Sequence, residues 1–260
     1  NALFTQYRGS SNRYDWQLAF RHDNNSQFGT ANTGNIALGL KLSTGLQLTA
    51  AYGTAFKAPS FNQLYWPSHP LFGGGNPNLQ PEKSSSMEIN LRGYDKDIRW
   101  SIALFETQID NLIDNWPPTN INKARIRGLE GELIFNLANN WQLQANATWQ
   151  EPKARSGINN NNNKRLRRRA RSIINLNLDH DFGIWKLGAT IHGEEKRYDD
   201  SANADLLADF VTLDLRAVYS LDQAWRLEAK VSNSLDVDYE TAAGYRQPGT
   251  QFFMTMRYAP

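Results

Sequence analysis

The densest chemistry in the sequence is a basic run, Lys164-Arg165-Leu166-Arg167-Arg168-Arg169-Ala170-Arg171, which follows the asparagine tract Asn159 to Asn163. Clustered guanidinium and ammonium groups hold anions: nucleic-acid phosphate, lipid phosphate or an anionic ligand. Aromatic residues, on which bases would stack, are sparse in this run. The net charge of +2 gives no overall pull toward nucleic acid either. No nucleic-acid partner is expected, which leaves lipid contact and ligand contact. Glu88 and Glu130 are the next residues of interest. Each alternates with apolar neighbours, Met87 and Ile89 for one, Leu129 and Leu133 for the other. Each therefore projects from the polar side of a strand and needs a cationic partner or water. Arg92 and Arg127 are the candidate partners within the chain.

Catalytic and metal chemistry finds little support. His22, His69, His180 and His192 lack metal-ligand spacing. Asp199, Asp200, Asp205 and Asp209 crowd one loop but lack the Asx-x-Asx-x-Asx-Gly order of a calcium loop. Cysteine is absent, so there is no thiolate site and no disulfide framework. No nucleophile elbow or phosphate loop occurs. No catalytic residue, metal or cofactor is expected, and the chain does not read as an enzyme.

The elements that must position these groups are strands. Trp141-Gln-Leu-Gln-Ala-Asn-Ala-Thr-Trp149-Gln150 alternates strictly between apolar and polar residues. Tyr14 to Phe20, Ile36 to Leu42, Ile98 to Leu104, Val211 to Tyr219 and Trp225 to Val231 repeat the period of two. Counted this way the chain holds about thirteen strands. They cover 1–8, 12–22, 34–43, 46–56, 84–94, 98–110, 123–137, 141–151, 169–180, 184–196, 210–220, 225–234 and 250–258. Many approach the length that a tilted membrane-spanning strand needs. No apolar run is long enough for a transmembrane helix.

The connections alternate. Short turns fall near Ser10, Thr44, Asp95, Asn139, Phe182 and Asp222; long loops are expected at 23–33, 57–83, 111–122, 152–168, 197–209 and 235–249. Short turns at one end and long loops at the other are the pattern of an outer-membrane barrel. Trp16, Trp100, Trp141, Trp185 and Trp225 recur near the short-turn ends, where a girdle at the membrane–water boundary would sit. The fold expected is an all-β, antiparallel up-and-down transmembrane barrel. An odd strand number does not suit a closed bacterial barrel, so further strands are expected on the N-terminal side. A soluble all-β binding module and a barrel enzyme are the competing readings from another class.

One stretch identifies the family. Tyr52-Gly-Thr-Ala-Phe-Lys-Ala-Pro59, Leu64-Tyr65 and Gly75-Asn-Pro-Asn-Leu-Gln-Pro-Glu-Lys-Ser84 resemble the signature of TonB-dependent outer-membrane receptors. Asn111-Leu-Ile-Asp114, Ala124-Arg-Ile-Arg-Gly-Leu-Glu-Gly131 and Asn233-Ser-Leu-Asp-Val-Asp-Tyr-Glu-Thr241 follow in the family's order. His22-Asp-Asn-Asn-Ser-Gln-Phe-Gly29 and Arg168-Arg-Ala170 are similar to the cobalamin (vitamin B12) receptors within it. The resemblance implies a bacterial outer-membrane barrel of about 22 strands, filled by an N-terminal plug that engages TonB. Residues 1–260 would be the C-terminal part of that barrel. The plug and first strands lie outside the match. It also implies uptake of cobalamin, or of an iron siderophore or heme, with lipid and lipopolysaccharide around the barrel. Glu88 and Glu130 resemble barrel glutamates that pair with plug arginines. Arg168, with Arg169 beside it, is the expected ligand contact.

Overall fold

The computed structural model describes residues 1–114, 116–156 and 161–260. Its strands are β1 (Ala2–Ser10), β2 (Tyr14–Asn25), β3 (Gly29–Ser43), β4 (Leu46–Lys57), β5 (Glu82–Tyr94), β6 (Ile98–Asp114), β7 (Thr119–Leu137) and β8 (Trp141–Ala154). They continue as β9 (Ser172–Asp181), β10 (Trp185–Glu194), β11 (Arg197–Tyr198), β12 (Leu206–Leu207), β13 (Phe210–Ser220), β14 (Trp225–Ser232) and β15 (Gln251–Tyr258). A short helix, α1 (Phe61–Tyr65), interrupts the connection from β4 to β5. All but β11 and β12 form one 13-stranded sheet in which each strand pairs with its neighbour in sequence. β11 and β12 pair with each other in the connection between β10 and β13. The sheet is an antiparallel meander whose ends, β1 and β15, do not pair with each other among the described residues.

Register sets the two faces. Directly opposite residues share a face, so a row can be followed across the sheet. Leu18, Ile36, Tyr52 and Met87 form one such row across β2 to β5. Ile89, Leu104, Leu129 and Trp149 form another across β5 to β8. Leu178, Ala189, Leu215, Val231 and Phe252 continue that face to the last strand. These side chains are open: Leu104 is 58% exposed and Met254 75%. A soluble sandwich would bury such a face against a second sheet. An apolar surface continuous across the sheet requires lipid instead. The opposite face carries Asn90, Glu130, Asn146, Asn177 and Arg216, the composition of a wet lumen.

The aromatic girdle lies on the apolar face at the short-turn end. Trp185 packs on Tyr219, and Trp225 on Tyr258, with ring centroids 4.6 Å apart in each pair. Trp141 meets His180 at 4.3 Å. Trp16 and Trp100 use a different partner: they lie across Gly9 and Gly93 of the adjacent strands. A Cβ at either glycine would collide with the indole. Glycine here is the space that lets a large ring lie flat on the sheet.

Two of the expected long loops are corrected. In place of a loop over 23–33, β2 and β3 stay paired up to Asn25 and Gly29. Only 26–28 remain as a turn. The side chain of Asn25 closes it by accepting from the amides of Gln27 and Phe28. Similarly, β6 and β7 run through most of 111–122 as a ladder that reaches Asp114 and Thr119. These extensions look like loops in sequence because neither keeps a period of two: Asp23 to Asn25 are all polar, and Leu112 and Ile113 are adjacent apolar residues. The loop expected at 57–83 is confirmed in essence, between Lys57 and Glu82.

Candidate functional site

The long-loop end is built into a compact cap by asparagine and buried leucine. In the connection from β4 to β5, Ser60 caps α1: its hydroxyl accepts from the Gln63 amide at 3.3 Å, and the Gln63 side chain accepts from the Ser60 amide at 2.8 Å. This reciprocal pair fixes one helical turn. It places Leu64 inward, where Leu64 and Leu79 are buried against Ile113, with Phe28 of the β2–β3 turn beside them. Gln27 of the same turn donates to the Tyr65 hydroxyl at 2.6 Å. Asn76 donates to the Pro118 carbonyl at 3.1 Å and accepts from the Asn78 amide at 3.0 Å. Asn120 accepts from the Gln80 amide and donates to the carbonyls of Gln80 and Asn111. Glu82 closes the motif. It is buried, and its Oε1 accepts from the Ile113 amide at 2.9 Å and pairs with Lys57 at 3.2 Å. The Asn-Pro-Asn-Leu-x-Pro-Glu stretch thus fastens this connection to the β6–β7 hairpin.

The basic run lies in the connection before β9, which begins at Ser172 and not at residue 169 as expected. Its first part extends the sheet beside β8: Leu166 donates to the Pro152 carbonyl at 2.9 Å, and Ala154 donates to that of Lys164 at 3.0 Å. Leu166 is buried with Leu112, Ala124 and Ala154. The arginines then diverge. Arg167 pairs with Asp114 at 2.6 Å. Arg168 adopts a left-handed backbone, φ 56°, and grips Asp199 through Nε at 2.6 Å and Nη2 at 3.1 Å. That bidentate contact holds the Asp199 carboxyl below its usual range and raises Arg168. Arg169 is half-buried and forms no hydrogen bond or ion pair with the described residues. Burial pushes its guanidinium down, opposed by the nearby carboxylates of Asp114 and Glu82. Of the two expected ligand contacts, Arg168 is committed within the chain and Arg169 is uncommitted. Asp199 is likewise engaged, and Asp200 accepts from the amides of Ala204 and Asp205.

Glu88 and Glu130 project from the polar face, flanking β6: Glu88 is opposite Phe105, and Glu130 is opposite Ala103. Both are exposed, and neither forms an ion pair among the described residues. The two arginines suggested as their partners are otherwise engaged. Arg92 donates to the Gln47 side chain at 2.9 Å. Arg127 is opposite Glu106 and Glu151, on the lipid-facing side, and pairs with Glu151 at 2.8 Å. Glu88 and Glu130 are therefore free lumen carboxylates, open to a partner that enters the barrel.

The model of the TonB-dependent receptor-like β-barrel matches residues 1–234. The chain belongs to this family. TonB-dependent receptors are transport receptors of the bacterial outer membrane, so this sheet is a segment of an outer-membrane barrel. Among curated relatives, the receptor segment is 32% identical to the vitamin B12 transporter BtuB of Vibrio vulnificus, over 99% of this chain and 42% of the relative. It is 30% identical to the same transporter of Photobacterium profundum, over 94% and 41%. The chain thus spans less than half the length of these relatives. Solved barrels share its fold. A mutant ferric enterobactin receptor, PfeA, of Pseudomonas aeruginosa superposes with a TM-score of 0.81 at 19% identity, covering 99% of this chain and 44% of that one. The copper transporter OprC gives 0.81 at 18%, covering 99% and 48%.

The motifs that were legible as family landmarks are structural fasteners. Asn111 takes φ 56° within β6, and Asn233, φ 47°, is buried and donates to the carbonyls of Val237 and Pro248. Sequence reasoning missed α1, although Ser60-x-x-Gln63 is the signature of a capping box.

Proposed function

We propose that this chain is the C-terminal barrel part of a receptor that takes up cobalamin across the outer membrane, energised through TonB. What carries the reading is the pair of curated relatives, both vitamin B12 transporters, at 30–32% identity over nearly the whole chain. The neighbours that handle ferric enterobactin or copper lie at 18–19% identity and support the fold alone. Uptake of an iron siderophore or heme is the second reading.

Each part has a mechanical role in this proposal. The docked connections give the mouth a fixed shape, which lowers the ordering cost of binding a large ligand. Arg169 supplies an uncommitted cation near the mouth, suited to an anionic group on the ligand. Glu88 and Glu130 hold arginines of a plug, and release of those pairs accompanies passage of the ligand. The chain moves its ligand without chemical change. The test is uptake of labelled cobalamin by cells in which the full protein carrying this segment is the sole candidate receptor. Uptake that disappears on deleting TonB supports the proposal; absence of uptake with TonB present overturns it.

A further inference from the structure

We propose that the lipid-facing side of β7 and β8 carries a binding site for the phosphorylated headgroup of an outer-leaflet lipid, centred on Arg125 and Lys153. Register is the first argument. Arg125 and Lys153 are directly opposite each other, and Arg127 and Glu151 form the adjacent row on the same face. That face is the one that carries Leu129 opposite Trp149. The cations therefore begin where the apolar surface ends, toward the long-loop end. Leu129 to Arg125 is four residues, roughly 13 Å of strand at about 3.3 Å per residue. On a tilted strand this is the depth of a headgroup layer.

Charge is the second argument. Lys123, Arg125, Arg127, Lys153 and Arg171 are concentrated here. Glu106 and Asp110 of β6 and Glu151 of β8 share the surface. Glu151 is engaged, by Arg127 at 2.8 Å and Lys153 at 3.6 Å. Glu106 accepts from the Gln108 side chain at 2.9 Å. Arg125 is half-buried and forms no ion pair among the described residues, so its guanidinium stands unpaired opposite the Lys153 ammonium. Arg171 lies over the Trp149 ring, 5.7 Å from its centroid. That cation–π contact holds a third guanidinium, beside those of Arg125 and Arg127, on the lipid side of the sheet. Fixed cations above a continuous apolar belt match an amphiphile with phosphate at its head and acyl chains below. A soluble anion would gain nothing from the belt. This site depends on the barrel's orientation in the membrane and not on cobalamin as the ligand, so the two proposals fail separately.

The test uses the full protein carrying this segment, purified in detergent and titrated with diphosphoryl lipid A, with bound lipid counted by native mass spectrometry. Replacing both residues, Arg125→Ala with Lys153→Ala, is expected to weaken retention roughly tenfold. The charge-conserving pair Arg125→Lys with Lys153→Arg is expected to keep most of it. Arg99→Ala, on the lumen face, is expected to change nothing. Unchanged retention in the double alanine variant would overturn the site. So would equal retention of dephosphorylated lipid, displacement by millimolar inorganic phosphate, or an equal loss with Arg99→Ala.

Discussion

Glu82 illustrates how single residues decide this mouth. Its buried carboxylate takes the Ile113 amide and the Lys57 ammonium. Glu82→Ala leaves that amide without its acceptor, a cost of about 1–3 kcal/mol. The expected outcome is faster hydrogen exchange at Ile113 with little change in the strands below; unchanged protection there would show that the motif does not fasten the loop. At the other end, Gly93→Val forces the Trp100 indole off the sheet. Tryptophan fluorescence should report a more polar setting for Trp100, and an unaltered spectrum would contradict the packing described. The sequence revealed these residues unevenly. Glu82 stands in a recognisable motif, but its two partners come from β4 and β6, and no local pattern announces them. Gly93 and Trp100 are both visible, yet their contact depends on register. Glu88 and Glu130 were placed on the correct face by parity alone. Arg127 was not: it lies two residues from Leu129 on the same strand and so faces lipid, opposite Glu151, which removes it as a lumen partner.

Among the elements, strands of the membrane zone were the most legible, because lipid on one side and water on the other enforce alternation. Above the membrane the docked connections cover parts of both faces, as at Leu112 and Ile113, and that constraint lapses. For this reason the extensions of β2 with β3, and of β6 with β7, read as loops. The connection 197–209 is tied to the basic run through Arg168 and Asp199, and through the Arg168 amide, which donates to the Tyr198 carbonyl at 2.6 Å. Its pH response follows from the depressed Asp199 carboxyl. The folded value lies below the unfolded one, so the contribution is complete above the ordinary carboxylate range, about 3.9. It is lost as pH falls through that range toward the folded value. Hydrogen exchange of the Tyr198 region should therefore rise on acidification below pH 4 before the strands exchange. An Asp199→Asn variant should exchange rapidly at neutral pH also; identical behaviour of the two proteins would refute the link.

At the scale of the whole molecule, the sheet has a lipid side, a lumen side and two open edges. The lumen side presents Glu88 and Glu130 without ion-pair partners among the described residues, and in the proposed receptor they hold its plug. Replacing both with glutamine should raise exchange in the plug several-fold while the barrel stays protected; unchanged plug protection would leave these carboxylates merely solvated. Nothing in the strand pattern specifies the ligand, because alternation encodes a barrel wall and every transporter of this family needs one. In the proposed receptor, specificity depends on the capped mouth, where Arg169 forms no hydrogen bond or ion pair with the described residues. The most direct measurement is equilibrium binding of cyanocobalamin to the full protein carrying this segment, in competition with a ferric catecholate. Saturable cobalamin binding is expected that the ferric chelate does not displace and that Arg169→Ala weakens more than Arg168→Lys. Displacement by the chelate, or no cobalamin binding at all, would contradict it.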